Sequence, residues 1–128
     1  MKTLGIGVDI VENSRIKKSI INKKFLKRIF TSSEIKNSEK TINKTSYYSK
    51  RFAAKEAFAK ALGIGFRKGL NFNDISIIND KYGKPKIVIN KKLVNIINNI
   101  FKTKNVHMYL SISDEKKYSI AFVVVNKK

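Results

Sequence analysis

The chain has 128 residues, room for one domain with a single modest core. It contains no cysteine, which excludes a disulfide framework and a thiolate zinc site, and no apolar run approaches the roughly 18 residues of a membrane span. The formal charge of +19 suggests a polyanionic partner, but abundant Lys, Asn and Ile match an AT-rich coding bias, so the four arginines, at 15, 28, 51 and 67, are more informative than the lysines.

At the start, Leu4, Ile6, Val8 and Ile10 alternate with Gly5, Gly7, Asp9 and Val11, the period-two pattern of a half-buried strand. The Leu4 to Ile10 side is expected to face the core, and the two glycines are expected to leave open space beside Asp9. Asn13 or Ser14 is expected to cap a helix beginning near Arg15, with Ile16, Ile20 and Ile21 as its apolar stripe. A second short helix is expected over residues 22–29. Thr31 and Glu34 form an ordinary capping box, and residues 36–44 lack an apolar period and read as a mobile loop or a poorly packed helical turn.

Thr45 or Ser46 is expected to start a long helix running to Leu62. Five alanines between 51 and 61 favour it, and Gly63 suits a left-handed cap. Phe52, Glu56 and Lys60 share one stripe, with Arg51 and Lys55 beside it, so a carboxylate is expected amid three cations. Taken alone, Glu56 and Lys60 are an i, i+4 pair worth about 0.2–0.5 kcal/mol. Residues 63–69 form a basic, glycine-spaced loop. Strands are expected at Ile75–Ile77 and at 87–89, joined by a turn over 80–85. Asn90 is expected to cap a helix with Leu93, Ile96, Ile97, Ile100 and Phe101 on one side, and a final antiparallel hairpin pairs 106–113 with 118–125. His107, the single histidine, falls on the strand side of Tyr109, Ser111 and Ser113. No repeat or linker divides residues 1–128, which read as a single domain.

Two segments, Gly5-Ile-Gly-Val-Asp-Ile-Val-Glu12 and Phe52-x-x-Lys-Glu-Ala-x-x-Lys60, resemble the signatures of the phosphopantetheinyl transferases, and more narrowly of the short, bacterial holo-acyl-carrier-protein synthases. Thr31-x-x-Glu34, Gly83-Lys84-Pro85 and Ser111-Ile-Ser113 extend the likeness over most of the chain. The resemblance implies a small α+β fold, an antiparallel sheet with helices packed on one side. It also implies transfer of 4'-phosphopantetheine from coenzyme A to a serine of an acidic apo acyl carrier protein, in support of fatty acid biosynthesis. Breaking a diphosphate calls for positioned cations, and Mg²⁺ is the expected metal, held by Asp9 and Glu56. Asp9, Glu56 and Lys60 are the implied catalytic residues. Glu56 is the first candidate base, acting directly or through a metal-bound water.

Lys60, with Arg51 and Lys55, is expected at the phosphates of coenzyme A, and Gly83, Lys84, Pro85, Ser111 and Ser113 at the rest of the cofactor cleft. Arg15 matches the family's arginine after Asp-Ile-Val-Glu and, with Lys17, Lys18 and Arg28, is the expected carrier-protein docking surface. The chain departs from the family at Asp114, where a histidine is usual. By analogy the protein is a cytoplasmic homotrimer with active sites between subunits, binding neither membrane nor nucleic acid. The competing reading is a small basic nucleic-acid-binding module without catalysis, with Tyr47, Tyr48 and Tyr109 as stacking residues. It leaves unexplained two carboxylates inside cation-rich motifs.

Overall fold

The computed structural model describes residues 2–128. Along the chain run β1 (Lys2–Glu12), α1 (Asn13–Ser19), α2 (Lys23–Ile29), α3 (Ser32–Ser38), α4 (Lys44–Leu62), β2 (Ile75–Asn79), β3 (Pro85–Ile89), α5 (Lys91–Phe101), β4 (Val106–Asp114) and β5 (Tyr118–Lys127). β5 lies between β1 and β4 in an antiparallel sheet, and β2 pairs with β3 in a separate antiparallel ribbon. With α4 packed on one face of the larger sheet, the expected α+β architecture is borne out.

α4 begins after Asn43, whose side chain accepts from the Ser46 N–H, one residue before the expected start. It ends at Gly63, whose φ of 79° is the left-handed conformation that glycine adopts without penalty. Asn90 caps α5 as expected, with Leu93 and Ile97 buried, and the expected β4–β5 hairpin forms, Val106 opposite Lys127 and Asp114 opposite Ser119.

The faces of β1 are the reverse of the expectation. Of the expected core face only Leu4, at the register shift between Thr3 and Gly5, is partly buried; Ile6, Val8 and Ile10 are 61%, 50% and 60% exposed, while Val11 on the other face is buried. The cause lies in the glycines. A Cβ on Gly5 or Gly7 would overlap the carbonyl oxygens of Ala61 and Ala57, so the glycines admit the backbone of α4 and leave no room there for a ligand. Across the opposite face the register places Ile6, Val124 and Tyr109 in one row, Val8, Phe122 and Ser111 in the next, and Ile10, Ile120 and Ser113 in a third.

Local chemistry accounts for two smaller corrections. Neither Asn13 nor Ser14 caps α1, which starts at Asn13 itself. The Asn13 amide instead donates to the Glu115 and Lys116 carbonyls and accepts from Ser119, holding the helix against the β4–β5 turn. Ile16 is buried, but Ile21, expected in the same stripe, is 82% exposed. The region 36–44 is helical as far as Ser38, which is buried and accepts a hydrogen bond of 2.8 Å from the Tyr48 hydroxyl.

Candidate active site

Asp9 lies on the helix-facing side of β1, beyond the two glycines, where close packing brings α4 alongside. There Lys60 Nζ donates to Asp9 Oδ1 at 3.0 Å and to the Val8 carbonyl at 3.1 Å. The pair is partly open to solvent, Lys60 at 53% and Asp9 at 15%. Glu56 stands one helical turn before Lys60 and is half-buried. Burial, and secondarily the Asp9 charge, push its carboxyl above the ordinary value, while Lys60 and Arg15 pull it down. A strand carboxylate and a helix lysine thus meet at one half-open site, with Glu56 a turn away under the charges of Asp9, Lys60 and Arg15.

Arg15 was expected only on a docking surface, yet its charge also favours the ionised form of Glu56. Lys18 and Arg28 are exposed on α1 and α2, as docking would require. Phe52, in the stripe of Glu56, stacks against Phe72 at 5.4 Å and Phe25 at 6.5 Å.

Arg51 and Lys55 do not flank Glu56 as expected. Lys55 is fully buried: its Nζ donates to Glu34 Oε1 at 2.6 Å and to the Ile29 carbonyl at 2.8 Å, and desolvation lowers its pKa. With the ammonium enclosed, it cannot reach a phosphate at the surface. Arg51 is 5% exposed, its guanidinium 3.6 Å from the Tyr47 ring centroid and bonded to the Tyr47 carbonyl. It borders a separate cleft shared with Lys40, Lys50 and Asn79. The capping-box reading of Glu34 was correct, but nothing in the spacing signalled its pairing with Lys55 across 21 residues.

The remaining expected cofactor residues gather at the other edge of the sheet. Gly83 turns the chain with φ 84° while Asp80 accepts from the Tyr82 and Lys84 N–H groups. Lys84 and Pro85 then border a cleft of about 350 Å³ against Met108, Tyr109 and Leu110. Ser111 and Ser113 are exposed on the sheet face opposite Asp9, alongside Phe122 and Ile120. Within one chain these groups are not brought to Glu56. Asp114 accepts a 2.8 Å hydrogen bond from Ser46 in the first turn of α4, and His107 lies beside Tyr109 on the exposed face.

Among the described residues no cluster of three or more metal-binding side chains exists. Two carboxylate ligands alone fit a hard divalent cation whose remaining positions are taken by substrate phosphate and water.

The family model for the 4'-phosphopantetheinyl transferase superfamily matches residues 5–123. A holo-[acyl-carrier-protein] synthase of Pelagibacter ubique is 60% identical over 128 residues, covering all of both chains. Among solved structures, the Neisseria meningitidis synthase superposes with a TM-score of 0.86 at 37% identity, over 98% of this chain and 99% of that one. The Bacillus anthracis synthase, in complex with CoA (3',5'-ADP), gives 0.83 at 34% identity over the whole of both chains. The chain belongs to the 4'-phosphopantetheinyl transferase superfamily and, within it, to the holo-[acyl-carrier-protein] synthases, and it is an enzyme. The nucleic-acid-binding alternative finds no support in these relationships.

Proposed function

We propose that this enzyme transfers 4'-phosphopantetheine from coenzyme A to a serine of apo acyl carrier protein, supplying holo carrier protein for fatty acid biosynthesis in the cytoplasm. The observation that carries the reading is the meeting of Asp9 and Lys60 at one half-open site, with Glu56 a turn away under the charges of Asp9, Lys60 and Arg15. The serine oxygen attacks the phosphorus attached to pantetheine, the diphosphate P–O bond breaks, and adenosine bisphosphate leaves with the bridging oxygen. A bound Mg²⁺, held by Asp9 and Glu56, would neutralise charge developing on the diphosphate. Lys60 holds the Asp9 carboxylate in place and offers its remaining donor capacity to a phosphate oxygen. Glu56, its pKa raised by burial and by Asp9, is the candidate acceptor of the serine proton, directly or through water.

A homotrimer completes the reading. Ser111, Ser113, Lys84 and Pro85 lie beyond β5 from Asp9, and the sheet face carrying Ser111 and Ser113 also exposes Ile6, Val8, Ile10, Ile120 and Phe122. A contiguous apolar face of this kind is the expected surface for a second copy. Association through it would bring one subunit's β4 edge towards its neighbour's Asp9 and Glu56. Coenzyme A, present in the relative's complex, would lie between them, while the acidic carrier protein docks on Arg15, Lys18 and Arg28.

Incubation of the enzyme with an apo acyl carrier protein, coenzyme A and Mg²⁺ should add the mass of one phosphopantetheine to the carrier. The increase should disappear when either coenzyme A or the cation is withheld. No mass increase under the complete conditions would refute the activity.

A further inference from the structure

The rotation of α4 about its own axis decides whether Glu56 meets Asp9, and apolar burial specifies that rotation weakly. Ala53, Ala54, Ala57, Ala59 and Ala61 are all buried, so small apolar side chains cover much of the helix circumference. Beside the buried Phe58 and Leu62 and the Lys60–Asp9 bond, two further features give the helix direction. On one side the Ala57 and Ala61 carbonyls fit against Gly7 and Gly5. On another, Lys55, about 100° around the helix from Glu56, inserts its ammonium between the Ile29 carbonyl and Glu34.

Glu34 is itself held from several elements. Its Oε1 accepts from the Thr31 N–H at 2.9 Å as well as from Lys55, and its Oε2 accepts from the Ile77 N–H on β2 at 2.9 Å. Neither side chain of the ion pair is exposed, and both Glu34 oxygens are occupied. Compared with apolar residues of similar volume, a buried ion pair is often no more stabilising. It does impose one geometry, because three elements converge on a single carboxylate.

We propose that the Glu34–Lys55 pair is a positioning device for the transfer reaction, fixing the rotation of α4 so that Glu56 stands beside Asp9. The inference rests on the assignment of Glu56 to the reacting site and adds two residues that touch neither substrate nor cation.

The test is the double variant Glu34→Leu/Lys55→Met, which removes the pair without leaving a buried charge unpaired. It should unfold cooperatively, with kcat at least about tenfold lower and Mg²⁺ affinity, measured by calorimetry, at least about fivefold weaker. The dissociation constant of coenzyme A in EDTA should stay within about twofold, because Lys55 does not touch it. Added to Glu56→Gln, the double change should lower kcat no further.

Wild-type kcat and Mg²⁺ affinity in the double variant would reduce the pair to a structural role. A coenzyme A affinity in EDTA weakened about tenfold would instead make Lys55 a phosphate ligand and overturn the proposal. Should the double variant not fold, Glu34→Gln carries the same test, with a kcat loss of about threefold expected and an unchanged kcat contradicting it. Wild-type turnover in Glu56→Gln alone would identify the Glu56 assignment as the failing step. An inactive Glu56→Gln beside a fully active double variant would fault only the positioning claim.

Discussion

Two lysine–carboxylate pairs join α4 to its neighbours, and they differ in almost everything except composition. Lys55 and Glu34 meet at 2.6 Å with no exposure, each further bonded to backbone groups. Lys60 and Asp9 meet at 3.0 Å on the other side of the helix, with half of Lys60 in water and Glu56 adjacent. The first pair is sealed from solvent, whereas the second has donors and acceptors that a phosphate or cation can reach. What separates a structural from a reactive charge is therefore its access to solvent rather than its type or place in a motif.

The comparison breaks most severely if one partner of the enclosed pair is removed. Lys55→Met leaves Glu34 charged and buried, and should cost about 3–5 kcal/mol in urea unfolding. Lys60→Met, on the solvent side, should cost about 1 kcal/mol or less. Equal losses would mean that the two environments are not distinct.

Subunit contacts provide a second break. If the exposed sheet face joins copies of this chain, Phe122→Asp should dissociate the oligomer in sedimentation and silence transfer, while circular dichroism retains the folded helices supported by Glu34 and Lys55. A fully active monomer would contradict the proposed junction.

A smaller effect sharpens the open side of the comparison. Arg15→Ala should raise the Michaelis constant for the carrier protein several-fold, change that for coenzyme A little, and flatten the fall of activity with salt. Equal effects on both substrates would assign Arg15 to Glu56 alone rather than to docking.

The sequence made the helices and hairpins legible where one residue carries an unambiguous local signal, as at the Gly63 cap, the Asn90 cap and the Thr31–Glu34 capping box. The motifs single out Asp9, Glu56 and Lys60, and the structure sets Lys60 against Asp9 with Glu56 one helical turn away. The direction of β1 was not. Period-two alternation separates two faces but does not say which is covered, and here glycine, contributing almost no apolar area, marks the buried face because helix backbone takes the space of its side chains. Lys55 was misplaced for a related reason: adjacency to Glu56 in sequence turns it about 100° away on a helix, towards a carboxylate supplied by a distant segment. The separation of Ser111 and Ser113 from Asp9 required the strand order β1-β5-β4, which no local pattern contains.

The most direct measurement is calorimetric titration of Mg²⁺ into the enzyme saturated with coenzyme A, repeated for Asp9→Ala and Glu56→Gln, with turnover measured on the same preparations. Cation binding should be lost or weakened by at least about tenfold in each variant, and turnover should fall by at least about a hundredfold while the melting temperature changes little. Mg²⁺ affinity and turnover near those of the unaltered enzyme in either variant would contradict the assignment of these two carboxylates to the reacting site.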